Sequence, residues 1–195
     1  MLKPGTIKKV GGYYQNSFEF TGDLLRAKGE FSMGMGHMAF SSSKSEGFFN
    51  EWFLYDFVLS NGLTPLQDFV KNNPLNLKDD EMHFYKVLLE NNHYSLYEIL
   101  DIKIGRQLKL RDTFTNKEYD VLEHMGTYEA KKGTVTFGRV AKTLDHYELV
   151  GADTLMLDIK TKKDIDQIVK NLKQLDLPLT PMSANLIWLA NNMRK

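Results

Sequence analysis

The chain has 195 residues, with 25 Lys and Arg against 25 Asp and Glu, and it contains no cysteine. A chain of this length can bury one good hydrophobic core, and the lack of cysteine excludes a disulfide scaffold, thiolate zinc, iron–sulfur clusters and a cysteine nucleophile. A net charge of zero gives no support to a general nucleic-acid coat, because affinity for phosphate depends on an excess of Lys and Arg.

The apolar stretches are too short for a membrane span or a secretory signal. The longest, residues 48 to 59, is interrupted by Asn50, Glu51 and Asp56. It is also shorter than the roughly 20 apolar residues that cross a bilayer. No apolar run of signal-peptide length follows the basic first residues. These features predict a cytoplasmic protein with no membrane partner.

Residues 1 to 47 form a glycine-rich N-terminal segment with weak hydrophobic periodicity. Within it, residues 33 to 45 combine glycine, methionine and serine, a composition that supplies little to a packed core. The pattern predicts a loop there and no element with a clear boundary in the rest of the segment.

Residues 48 to 93 read as a helical block with a net charge of −4, from three cations and seven carboxylates. Phe49, Trp52 and Phe53 recur at helical spacing, and the pair Asn61-Gly62 favours a left-handed exit from a helix. The first helix of the block is therefore the most aromatic segment of the chain.

Two further helices are predicted in the same block. Thr64 and Pro65 are typical of an N-cap followed by proline at the first helical position, and Asn73-Pro74 marks the end of that helix. A third helix is predicted to begin near residue 76, with carboxylates in its first turn, where they favour the helix dipole. These carboxylates are Asp79, Asp80 and Glu81.

Residues 94 to 151 change to the period of β-strands. Leu108 and Leu110 alternate with Lys109 and Arg111, so the leucines are predicted to face inward and the cations outward. The other strands are predicted at residues 99–104, 118–123, 134–140 and 146–150. Five short strands joined by hairpin-like turns predict a small antiparallel barrel-like sheet of the SH3-like or OB-like kind.

Residues 152 to 195 return to helical periodicity. Thr161 with Asp164 forms a capping-box variant, and Thr180-Pro181 predicts a second start after a break. The predicted fold class is α+β, with an aromatic-rich helical layer, the barrel-like sheet and a C-terminal helical pair. Residues from 48 onward are expected to form one compact unit.

Four strings carry a resemblance: FNEWFLYDF (residues 49–57), GLTPL (62–66), SLYEI (95–99) and LRD (110–112). Together with the strand-rich stretch that follows, residues 48 to 151 resemble a family of uncharacterised bacterial proteins, some of which end in a SEC-C zinc-binding motif. The chain has no cysteine, so it lacks that zinc tail. The resemblance implies a bacterial cytoplasmic protein and assigns no residue a biochemical role.

Metal and cofactor motifs are missing from the sequence. The five histidines lie far apart and form no pair at the helical spacing that zinc requires. No phosphate loop, dinucleotide fingerprint or nucleophile elbow occurs. We therefore expect no bound metal and no cofactor.

Two carboxylate patterns are candidates for a catalytic site. Glu51 and Asp56 lie five residues apart on the aromatic helix, a separation that predicts different sides of the helix and exposed or capped carboxylates. The string Asp101-Ile102-Lys103, repeated at residues 158 to 160, matches half of a metal-dependent nuclease site, which needs at least one further carboxylate. A metal-dependent hydrolase or nuclease around Asp101 and Lys103 is therefore the alternative function.

The favoured function is a non-enzymatic binding or adaptor module that uses the barrel surface. Small barrels bind single-stranded nucleic acid through a positive groove and aromatic platforms, and Tyr128 offers a further stacking face. Protein is the other partner considered, including a basic partner for the acidic helical block. The candidate binding residues are Arg106, Lys109, Arg111, Tyr119 and Arg139.

Overall fold

The computed structural model describes residues 6–35, 43–150, 155–157, 162–175, 178–184 and 187. The helices are α1 (Thr6–Asn16), α2 (Thr21–Met35), α3 (Ser43–Tyr55), α4 (Pro65–Asn72), α5 (Asp79–Glu90), α6 (Gly126–Glu129) and α7 (Lys162–Leu175). The strands are β1 (Asn92–Lys103), β2 (Gln107–Asp112), β3 (Glu118–Leu122), β4 (Val135–Thr143), β5 (His146–Leu149) and β6 (Leu155–Leu157).

The glycine-rich N-terminal segment is helical, contrary to the sequence-based expectation. Val10, Tyr14 and Phe31 of α1 and α2 are fully buried in the same hydrophobic core as α3, α4 and α5. Glycine costs about 1 kcal/mol relative to alanine inside a helix, but tertiary packing of an apolar face can outweigh that cost. The helices were missed because their stability comes from these distant contacts.

The predicted loop at residues 33 to 45 is helical at both ends. Helix α2 extends to Met35 and α3 begins at Ser43. Residues 36 to 42 lie outside the described part of the chain.

The start of α4 confirms the capping prediction made for it. Thr64 Oγ1 accepts a hydrogen bond from the Gln67 backbone N–H at 3.3 Å, and Gln67 Oε1 accepts one from the Thr64 N–H at 2.8 Å, which completes a capping box. Helix α4 ends at Asn72, and the C-cap residue Asn73 has a left-handed φ of 42°. Helix α5 carries its three carboxylates in the first turn, as predicted.

The six strands form one mixed sheet in the order β1-β2-β3-β5-β4-β6, and β1 also pairs with β4. The pairings of the first five strands thus return to their start, in the order β1-β2-β3-β5-β4-β1. The prediction of an antiparallel sheet is correct for most pairs and wrong for β3 with β5, where Val121 pairs with Tyr147 in parallel. A crossover through α6 and β4 separates these two strands in sequence, and a parallel pair requires such a crossover.

The two sides of the strands pack against different partners. Leu108, Leu110 and Val121 belong to a buried cluster with residues of β1 and β4, on the inner side of the paired strands. This confirms the predicted alternation in β2. The opposite side of β1 and β4 packs Leu96 and Phe137 against α7.

Candidate functional site: the outer surface of the strands and a buried arginine

The predicted cations of β2 face outward, but each has an acidic partner. Lys109 Nζ lies 3.0 Å from a carboxylate oxygen of Glu118, and Arg111 donates a hydrogen bond to Glu98. The hydrogen bond that Lys109 donates to Glu118 raises the pKa of Lys109. The exposed face of β1, β2 and β3 is therefore a charge-balanced surface.

Tyr119 does not offer a stacking face to solvent. The side chain is buried, and its ring makes edge-to-face contacts with Tyr97 and Tyr147 at centroid distances of 6.1 and 5.1 Å. Lys117 Nζ lies 5.0 Å from the centre of the Tyr119 ring. The expectation that Tyr119 is an accessible binding residue is wrong, because Tyr119 occupies an inward position of β3.

Arg139 is also inaccessible, with a relative exposure of 4%. Its guanidinium donates to Asp56 Oδ2 at 2.6 Å, to Glu51 Oε1 at 3.2 Å and to Asn92 Oδ1 at 2.8 Å. Arg139 therefore joins the helical layer to β4 and cannot meet a partner at the surface. The prediction that it contributes to binding is corrected, because helix α3 covers the outer side of β4 at this position.

Two tyrosine rings enclose the same guanidinium. The Arg139 Cζ lies 4.4 Å from the ring centre of Tyr55 and 5.3 Å from that of Tyr94. Burial raises the pKa of both tyrosines, so they stay neutral beside the carboxylates. Burial lowers the pKa of Arg139 while the charges of Asp56 and Glu51 raise it, and the net shift is upward. The buried arginine is therefore charged.

The convergence of Glu51 and Asp56 contradicts the expectation that these carboxylates point to different sides. Helix α3 ends at Tyr55, and Asp56 lies in the turn that follows, with its N–H bonded to the Trp52 carbonyl. That bond has the helical spacing of four residues, so the two carboxylates converge because the Arg139 guanidinium reaches both of them. Burial raises the pKa of Asp56, although Arg139 opposes that shift.

Asp112 anchors the turn between β2 and β3. Its carboxylate is fully buried and accepts hydrogen bonds from the backbone N–H groups of Phe114 and Thr115, at 2.8 and 2.9 Å. His93 Nε2 lies 3.1 Å from the other carboxylate oxygen. Burial alone would raise the pKa of Asp112, but the hydrogen bonds from His93, Thr115, Ser95 and Phe114 lower it to about 2.

Within the described part of the chain, the polar contacts that the Asp101 and Lys103 side chains make are with a cation and an amide rather than with further carboxylates. Asp101 Oδ1 lies 3.5 Å from Lys132 Nζ, and Lys103 Nζ donates to Gln107 at 3.2 Å. Among the residues that the structure describes, no group of three or more His, Asp or Glu side chains is placed to hold a metal ion. The matching string at residues 158 to 160 lies outside the described residues.

Arg106 is the one predicted binding residue that is exposed and lacks an ion pair within the described part of the chain. Arg106 lies in the turn between β1 and β2. It follows Gly105, whose φ is +70°. The Gly105 N–H donates to Thr127 Oγ1 of α6 at 2.7 Å, and the Glu123 N–H donates to the Arg106 carbonyl at 3.2 Å. The turn and α6 are thus held together at one end of the sheet.

Large apolar side chains are exposed around this turn. Ile104 is 71% exposed, Met125 72% and Tyr128 61%. The Tyr128 hydroxyl packs so closely on Gly105 that a Cβ there would lie 3.0 Å from it, and the His124 ring contacts the Tyr128 ring at 5.8 Å. We call Ile104, Arg106, His124, Met125 and Tyr128 the tip surface. Sequence reasoning noted Arg106 and Tyr128 but missed Ile104 and Met125, whose only signal was an apolar residue in a turn.

Comparisons with protein-family models, curated proteins and solved structures return no match for this chain. The resemblance of residues 48 to 151 to the body of SEC-C proteins therefore stays a prediction. In the described residues, no helix has the length and apolar character that would carry it across a membrane.

Proposed function

We propose that the five paired strands are an OB-like barrel and that the protein is a non-enzymatic binding or adaptor module. The closed pairing order and the position of α6 between β3 and β4 support this assignment. OB folds bind their ligands through the face of strands 2 and 3 and through the loops that join strands 1 to 2 and 4 to 5. The tip surface contains the first of these loops.

The observation that carries the proposal is the exposure of Ile104, Met125 and Tyr128 in two segments, the turn that contains Arg106 and the residues around α6, which are hydrogen-bonded to each other. Single exposed apolar residues are ordinary on protein surfaces, but grouped ones mark contact sites. Tyr, Met and Arg are also the residue types enriched in the cores of protein interfaces. The tip surface therefore has the composition of a protein-binding patch.

A protein partner fits better than a nucleic acid. Lys109 and Arg111, which would contact phosphate on the strand face, are engaged with Glu118 and Glu98. The chain as a whole carries no net positive charge. Since affinity for single strands depends on free cations, the strand face that contains Lys109 and Arg111 offers little of that attraction.

Selection from a random peptide library tests the proposal. The wild-type protein is the bait, and Ile104→Asn with Tyr128→Ser is the variant that changes the tip surface. Leu25→Gln is the matched control, because Leu25 is 66% exposed on α2, away from the strands. Circular dichroism verifies that each variant is folded.

We expect selected peptides to lose affinity by about tenfold or more for the tip variant and to bind the control normally. The proposal fails if the wild type selects no peptides, or if the selected peptides bind the tip variant as well as the wild type.

A further inference from the structure

The tip surface has a charge pattern of its own. Lys103 and Arg106 flank Ile104 on either side of the turn, and both cations are exposed. Lys131, also exposed, follows α6. The apolar side chains of the tip surface are thus bordered by cations.

The carboxylates of the same region are largely engaged. Asp101 lies 3.5 Å from Lys132, and Glu123 Oε1 accepts the Gly126 N–H at 2.8 Å. Across residues 101–107 and 123–132 the cations are Lys103, Arg106, Lys131 and Lys132 and the carboxylates are Asp101, Glu123 and Glu129, so the region carries a net charge of +1. A neutral chain thus presents a locally positive border around an apolar centre.

We propose that the partner segment of the tip surface carries apolar side chains flanked by carboxylates. This inference rests on the proposed function, since it specifies the chemistry of the protein that binds there. Complementary charge at the rim directs orientation and association rate, while the apolar centre supplies affinity. In such a partner segment, the carboxylate would bind Arg106, and the neighbouring apolar side chain would pack on Ile104 and Tyr128.

The geometry of the turn supports Arg106 as the main contact for a carboxylate. Its backbone is held by the bond from the Glu123 N–H to its carbonyl, and the preceding Gly105 is bonded to Thr127. The base of the side chain is therefore fixed while the guanidinium projects into solvent. A guanidinium can bind a carboxylate through two parallel hydrogen bonds, which a lysine ammonium cannot form.

Three matched synthetic peptides test the inference by fluorescence anisotropy with the full chain. Each has two leucines and a phenylalanine, and the flanking positions are aspartate in the first, asparagine in the second and lysine in the third. We expect the aspartate peptide to bind about fivefold to tenfold more tightly than the asparagine peptide, and the lysine peptide to bind most weakly. Arg106→Gln should remove most of the preference for aspartate. Lys71→Gln, which changes an exposed cation of α4, should leave the preference intact.

The possible failures are distinguishable. Equal binding of the three peptides, with loss of all three in Tyr128→Ser, overturns the acidic preference and leaves the proposed binding surface standing. Failure of these peptides, combined with a random library that selects no tip-dependent peptide, overturns the proposed function itself. A labelled oligothymidine that binds the wild type and is released by Arg106→Gln would instead assign the tip surface to single-stranded nucleic acid.

Discussion

Arg139 of β4 donates a hydrogen bond of 2.6 Å to Asp56, a residue 83 positions away at the end of the aromatic helix. Arg139 Nε also donates to Glu51 Oε1 at 3.2 Å. The arginine and the two carboxylates together form a buried ionic contact between the helical layer and the sheet. Such contacts add little net stability compared with a well-packed apolar core, but removing one partner leaves a buried charge without compensation.

Replacing Arg139 with methionine should therefore strongly destabilise the protein. Two carboxylates would stay buried without their cation, and we expect the free energy of unfolding to fall by about 3 to 5 kcal/mol. Urea denaturation followed by circular dichroism measures the change. Lys109→Met is the control, since an exposed ion pair contributes at most about 1 kcal/mol. Equal small losses in the two variants would show that the buried contact is unimportant.

Asp112 should make stability depend on acid pH. Its folded-state pKa is lowered to about 2 from an ordinary value of 3.8, so its contribution is fully present above the ordinary value and is lost as the pH falls toward 2. The expected contribution is about 2 kcal/mol. Asp112→Asn should lose that stability near neutral pH and show a shallower decline between about pH 4 and pH 2.

Urea midpoints at a series of pH values test the role of Asp112. Asp56 has the opposite effect on stability, because burial raises its folded-state pKa. Protonation of Asp56 as the pH falls therefore favours the folded state, and this gain is complete once the pH is below the ordinary pKa of an aspartate. The acid decline therefore belongs to groups whose folded pKa is lowered. Parallel pH curves for wild type and Asp112→Asn would contradict the prediction.

The capping box of α4 should be measurable by single substitutions. Thr64→Ala removes the acceptor for the Gln67 N–H and should cost about 1 kcal/mol of the free energy of unfolding. Gln67→Ala keeps the threonine cap, so its cost should be smaller. Thermal or urea unfolding of the two variants checks this order. A larger loss for Gln67→Ala would contradict the prediction that the threonine makes the more important capping hydrogen bond.

Gly105 should be required for the shape of the tip. A Gly105→Ala side chain would meet the Tyr128 hydroxyl at 3.0 Å, and the φ of +70° strains any residue with a Cβ. We expect a loss of about 1 to 2 kcal/mol. A double variant that combines Gly105→Ala with Tyr128→Ala should regain only the part of the lost stability that comes from the close contact. Full recovery would mean that the backbone conformation itself carries no cost.

Local patterns predicted the elements whose signals lie within a few residues. The cap at Thr64, the end of α4 before Asn73-Pro74 and the alternation of Leu108 and Leu110 with Lys109 and Arg111 are all confirmed. Each depends on interactions between near neighbours or on the two-residue period of a strand, so the chain itself contains the information. The turn that contains Arg106 was predicted in the same way, from the glycine beside it.

The remaining features depend on contacts between distant parts of the chain. Helices α1 and α2 are rich in glycine and are stabilised by packing on α3 and α4, which no local pattern reveals. Arg139 and Tyr119 looked like surface residues because alternation along a strand does not say which side another element covers. Glu51 and Asp56 meet Arg139 because the packing of α3 beside β4 brings the three charges together, and no local pattern contains that contact.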